Sequence, residues 1–150
     1  MITFDNKMIK KLIAKLRSVE RKRLIIYIVV YFLWGILMHN VGQWLEIAKF
    51  TFWWQVISTY LLYMIPISIL LRGYSFFTQY AYGLVAMAVL EFGGYTLKTS
   101  YIYPDNILEQ FFGVHTFALG MAMFFALYFP VGNWAVHRIY LLFIDDSGRK

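Results

Sequence analysis

Four long apolar blocks dominate this sequence: about 24–44, 51–71, 76–97 and 107–129. Each comes close to the 20 residues that an α-helix needs to cross ~30 Å of hydrocarbon. A run of that length leaves few options. In lipid every backbone N–H and C=O must be satisfied within the segment, so each block is expected to be helical. The chain is 61% hydrophobic, 21% aromatic and only 15% charged. A body of 150 residues cannot hide that much apolar surface from water. The expected fold is therefore all-α: an integral membrane four-helix bundle within a single domain, 24–150, ending in a short cytoplasmic tail.

Ahead of the first block, residues 1–23 carry Lys7, Lys10, Lys11, Lys15, Arg17, Arg21, Lys22 and Arg23. Ile9, Leu12, Ile13 and Leu16 recur between them at helical spacing, which predicts a basic amphipathic helix lying against anionic lipid headgroups. The apolar run from Leu24 is not followed by a small-residue cleavage site, so a cleavable signal peptide is not expected. The net charge of +6 does not point to nucleic acid, because the basic residues flank membrane blocks rather than line a soluble groove.

Those flanking charges predict orientation. Arg72, Arg138, Arg149 and Lys150 fall on the same side as the N-terminal block, and only Lys49 and Lys98 fall on the other. The positive-inside rule then places both termini in the cytoplasm, with Trp44, Trp53 and Trp54 as an outer aromatic belt. His137 beside Arg138 suits an inner contact with lipid headgroups. Between the blocks, Arg72-Gly73-Tyr74-Ser75 reads as a tight turn. Asn106 and Glu109 stand at capping-box spacing before the fourth helix. Pro130 and Gly132 mark its expected end or kink, after which 134–143 would turn along the inner interface.

With no cysteine, thiolate chemistry, iron–sulfur clusters and disulfides are excluded. Three ionisable residues lie deep within the blocks, His39, Glu91 and His115, each roughly 7–12 Å below the outer boundary at ~1.5 Å per residue. Charged groups are costly in hydrocarbon and usually face a protein interior or a wet cavity, so the three are expected to converge. Gln43 and Glu46 would share a face with His39, and Tyr95 one with Glu91. Tyr101, Tyr103, Asp105 and Glu109 would stand above the site. Gly35, Gly93, Gly94, Gly113 and Gly120 would let helices approach or leave room for a ligand.

Two histidines and a carboxylate are a minimal set for non-haem iron or zinc, although no tight ligand spacing supports it. His39 and His115 from facing helices would alternatively bracket a haem. Without a metal, a protonated Glu91 would be a general acid paired with a histidine base, suited to proton movement on an isoprenoid. Each residue also has a plainer role. Glu91 and His115 would hold helices in register, His39 would sit at the interface, and Asp105 and Glu109 would cap helices. Three functional classes follow. The first is a binder or processor of a hydrophobic molecule (isoprenoid, quinone or lipid) at an outer-leaflet site. The second is an accessory subunit of a larger membrane complex, and the third a proton-coupled transporter acting as a homo-oligomer.

Overall fold

The computed structural model describes residues 6–145 and is almost entirely helical. Helix α1 spans Asn6–Arg17 and α2 spans Arg21–Trp44. A helical segment, Trp53–Leu71, follows as α3 (Trp53–Ile57), a π-helical stretch (Ser58–Met64) and α4 (Ile65–Leu71). Helix α5 is Phe76–Leu97 and α6 is Ile107–Phe112. A 3-10 turn at Val114–Thr116 leads into α7 (Phe117–Ala126) and α8 (Tyr128–Asp145). Short strands β1 (Ala48–Phe50) and β2 (Ser100–Ile102) pair antiparallel, with Lys49 opposite Tyr101.

Among the described residues three stretches are long and apolar enough to cross a membrane: Arg21–Trp44, Trp53–Leu71 and Val114–Ile144. Helix α5 has comparable length, 22 residues, but Gln79, Glu91 and three tyrosines dilute its apolar character. It packs chiefly on α7 and also on α8, while α2 packs on α8 and on the π-helical stretch. Tyr27, Tyr31, Met64, Met87, Phe129 and Val136 form the centre of the core.

Several expectations need correction. The N-terminal block is not one helix, because the chain breaks after Arg17 and the next helix already starts at Arg21. Arg21, Lys22 and Arg23 thus form the first turn of α2. Helix α1 folds back onto α4, where Lys15 Nζ donates to the Leu70 carbonyl at 2.7 Å and lies over the Tyr74 ring. That carbonyl is among those left unpaired at a helix end, where a cation is favourable. Leu16 packs against the core, whereas Ile9, Leu12 and Ile13 stay exposed.

The expected fourth helix at 107–129 is two pieces. Gly113, at φ 77°, breaks it. At the other end, the expected end or kink is a short break at Leu127, after which the helix restarts at Tyr128 and runs to Asp145. Pro130 falls in the first turn of α8, where the missing N–H has no helical partner to lose. Residues 134–143 consequently stay in α8, with Val136 in the core and Trp134, Leu141, Leu142 and Phe143 exposed. Pro66 acts differently. It lies in the first turn of α4, and the helix before it widens into the π-helical stretch, which relieves the clash between a proline ring and the carbonyl four residues back.

The expected turn forms as read, and the expected capping box forms in half. Gly73 adopts φ 91°, and Ser75 Oγ accepts from Thr78 N. Asn106 Oδ1 accepts from the backbone N–H of Leu108 and of Glu109 at 3.0 and 3.1 Å, but Glu109 returns no bond to Asn106. The C-terminal tail, with Arg149 and Lys150, lies outside the described residues.

Candidate functional site

The β-ladder brings the α2–α3 and α5–α6 connections together over one end of the helices. Beneath it is a cavity of about 180 Å³, with walls from α2, the π-helical stretch, α5 and α7. Alternation along β2 turns Ser100 and Ile102 toward the cavity and Tyr101 away from it. From α2 come Met38, His39, Val41 and Gly42, from its C-cap Leu45, and from α7 Phe117, Ala118, Met121, Phe124 and Phe125. Gly42 lets α2 approach β1 closely, since a Cβ there would stand 2.7 Å from the Ala48 carbonyl oxygen.

Two of the three ionisable residues singled out from the sequence line this cavity: His39 and Glu91. Both are half-buried. His39 Nδ1 is itself buried and makes no hydrogen bond. Tyr95, one turn beyond Glu91, also lines the cavity while remaining half exposed. Tyr60 lines it too; its ring is buried against Gly35, where an added Cβ would stand 2.6 Å from ring carbons. The wall therefore carries one carboxyl, one imidazole, two phenols, the Ser100 hydroxyl and the Lys49 side chain in an otherwise apolar surround.

The remaining candidates lie elsewhere. His115 is exposed on the 3-10 turn, because the break at Gly113 redirects the chain before α7 begins. The three-residue set His39, Glu91, His115 is therefore not gathered. Among the described residues no three His, Asp or Glu side chains are grouped to hold a metal ion. A haem bracketed by His39 and His115 meets the same difficulty. Gln43 is exposed because the inward face of α2 is centred on Met38, Val41 and Gly42, and Glu46 is exposed in the turn after α2, at φ 52°. Tyr101 and Tyr103 turn outward, each with its ring within 5.5 Å of Lys49 Nζ. Asp105 is a turn residue with φ 57°, and Leu108 rather than Glu109 reaches the cavity.

A second polar constellation was not anticipated. Tyr27, Tyr31, Ser68, Gln79 and Asn133 are all buried and joined in one network across α2, α4, α5 and α8. Asn133 Oδ1 accepts from Tyr27 at 2.5 Å and from Ser68 at 3.1 Å. Its Nδ2 donates to Gln79 Oε1 at 2.7 Å and to the Ser68 carbonyl at 3.0 Å. Tyr31 donates to Ser68 Oγ at 2.8 Å, and Gln79 Nε2 to the Tyr74 carbonyl. Reading the apolar blocks for ionisable groups alone passed over these amides and phenols. The same desolvation argument applies to an amide in an apolar run, and it would have singled out Gln79 and Asn133. Compared with known protein families, with curated proteins and with solved structures, the chain matches none.

Proposed function

We propose that the chain is a four-span protein of the cytoplasmic membrane that binds a hydrophobic small molecule in its outer-end cavity. Both termini are cytoplasmic in this reading, and the ligand is an isoprenoid, a quinone or another lipid. The observation that carries it is the cavity itself, an apolar chamber whose wall brings together Glu91, His39, Tyr60 and Tyr95. Its volume resembles that of engineered apolar cavities that accept a single small ring. A ring or one prenyl unit would therefore enter, with the remaining chain lying between helices toward the lipid. Glu91 and the phenols would hydrogen-bond its polar end, and a protonated Glu91 would be placed to deliver a proton to it.

The membrane part of the proposal draws on which residues face outward. On α2, Ile25, Val29, Leu33 and Leu37 form an exposed stripe at four-residue spacing, each about half exposed. On α5, Val85 and Val89 are exposed at 64% and 66%, while Gln79 is buried and Glu91 lines the cavity. Polar inward and apolar outward is the arrangement that hydrocarbon selects, so α5 is assigned as the fourth crossing. Its 22 residues reach ~33 Å. Exposed Trp44, Trp53 and Trp54 at the cavity end suit an outer aromatic belt. The exposed Ile9, Leu12 and Ile13 of α1 suit contact with the inner headgroup region.

The test is mass spectrometry of the lipophilic molecules that co-purify with the protein. Wild type is expected to retain one species near stoichiometry. Ala118→Phe, which fills the cavity, should release it without unfolding the chain. Glu91→Gln should weaken retention by about tenfold, the loss of one good polar contact. If nothing is retained, and the chain is stable only with another membrane protein, the accessory-subunit reading takes its place.

A further inference from the structure

At the opposite end of the helices lies a second cavity, of about 400 Å³, between the start of α2, the α4–α5 turn and α8. Its floor is the Tyr27–Asn133–Gln79 part of the buried network. Its rim carries Arg23, Arg72 and His137, flanked by the exposed rings of Phe76 and Trp134. We propose that this cavity is a binding site for a phosphate group, held between the guanidinium groups of Arg23 and Arg72.

The charges carry the argument. Two guanidinium groups line one cavity, both half-buried, and neither makes an ion pair or hydrogen bond among the described residues. Arg23 stacks over the Tyr140 ring at 4.1 Å, which holds its side chain in place without neutralising it. The nearby carboxylate, Glu20, accepts from the Tyr140 hydroxyl. Like charges around a partly desolvated space are unfavourable until an anion joins them, and planar forked donors match phosphate oxygens.

The floor points the same way. Asn133 already makes four hydrogen bonds, and Gln79 is held at both its oxygen and its nitrogen, so the interior amides are satisfied. The donors left for a ligand are those on the rim. The volume exceeds what phosphate alone fills, and apolar Phe76 and Trp134 stand beside the rim. An anionic phospholipid headgroup thus fits the site, with its acyl chains along the helices, as does free phosphate.

This inference needs the membrane frame proposed above but not a ligand in the outer cavity. The experiment measures binding in an uncharged detergent, by thermal shift and by native mass spectrometry. The probes are phosphatidylglycerol, phosphatidylcholine and inorganic phosphate. Wild type is expected to bind phosphatidylglycerol at least tenfold more tightly than phosphatidylcholine. Arg72→Gln is expected to lose about tenfold in that affinity, and Arg23→Gln/Arg72→Gln to lose the preference. Arg138→Gln, outside the cavity, should keep it. A shift of equal size with inorganic phosphate, abolished by the same substitutions, would identify the free ion as the occupant. An undiminished preference in Arg72→Gln, or no response of wild type to either phosphatidylglycerol or inorganic phosphate, would overturn the proposal. The half-buried Arg72 side chain has no bond to lose among the described residues, so Arg72→Gln remains informative should the double variant fail to fold.

Discussion

Asn133 is the residue on which most of the interior polar order depends. Four hydrogen bonds converge on its one amide, from Tyr27 and Ser68 to its oxygen and from its nitrogen to Gln79 and the Ser68 carbonyl. Replacing it by leucine would leave several buried partners without a mate. The expected cost is about 2–4 kcal/mol, since each orphaned group costs about 1–3 kcal/mol and some relaxation follows. Tyr27→Phe removes one donor and leaves Asn133 with its other three bonds, so about 1 kcal/mol is expected. Thermal or denaturant unfolding in detergent should rank the two in that order. Equal losses would mean that the network contributes as isolated pairs and that Asn133 is not its hub.

At the scale of elements, the fit of α5 against α7 and α8 turns on one small residue. A Cβ at Gly83 would run into the Phe129 ring and come within 3.2 Å of the Ala126 carbonyl oxygen. Gly93 lies on the same helix with nothing within 4 Å of the equivalent position. Gly83→Val is therefore expected to destabilise by about 1–3 kcal/mol through overpacking. Gly93→Ala should stabilise by roughly 0.5–1 kcal/mol, because an open site gains only the helix preference of alanine. Unfolding midpoints of the two variants, measured side by side, check the sign. Destabilisation at Gly93 would show that this face of α5 is covered by something other than lipid.

For the whole molecule, the decisive question is whether α5 crosses the bilayer. The chain has no cysteine, so single cysteines introduced at connections report their side without background. With four crossings, Ser75→Cys should react with a membrane-impermeant thiol reagent only from the cytoplasmic side, and Lys98→Cys only from the outside. Both reacting from one side would remove α5 from the crossings. The all-α character and much of the helix layout were legible in advance. The extents of the second and third apolar blocks were read to within two residues, and the Gly73 turn and the Asn106 cap were read in place. The errors fell where local signals conflict with packing. The fourth block was read as one helix, but Gly113 at φ 77° splits off its first turns; the end or kink read at Pro130 is a short break at Leu127, which leaves Pro130 in a first turn.

What the sequence determined by itself is the hydrophobic length of its segments, because hydrocarbon imposes that requirement on each segment separately, whatever its neighbours are. The same holds for caps and tight turns, whose partners lie within a few residues. Convergence across helices is different in kind. Glu91 and His39 share a cavity, while Gln43, one turn from His39, does not, because the rotation of α2 is set by its packing on other helices. The pairing of β1 with β2 turned Tyr101 and Tyr103 outward and Ile102 inward, and it joins residues about fifty positions apart. Tyr27 and Asn133 meet across 106 positions. Such contacts depend on helix rotation, tilt and register together, and only the packed tertiary structure decides those.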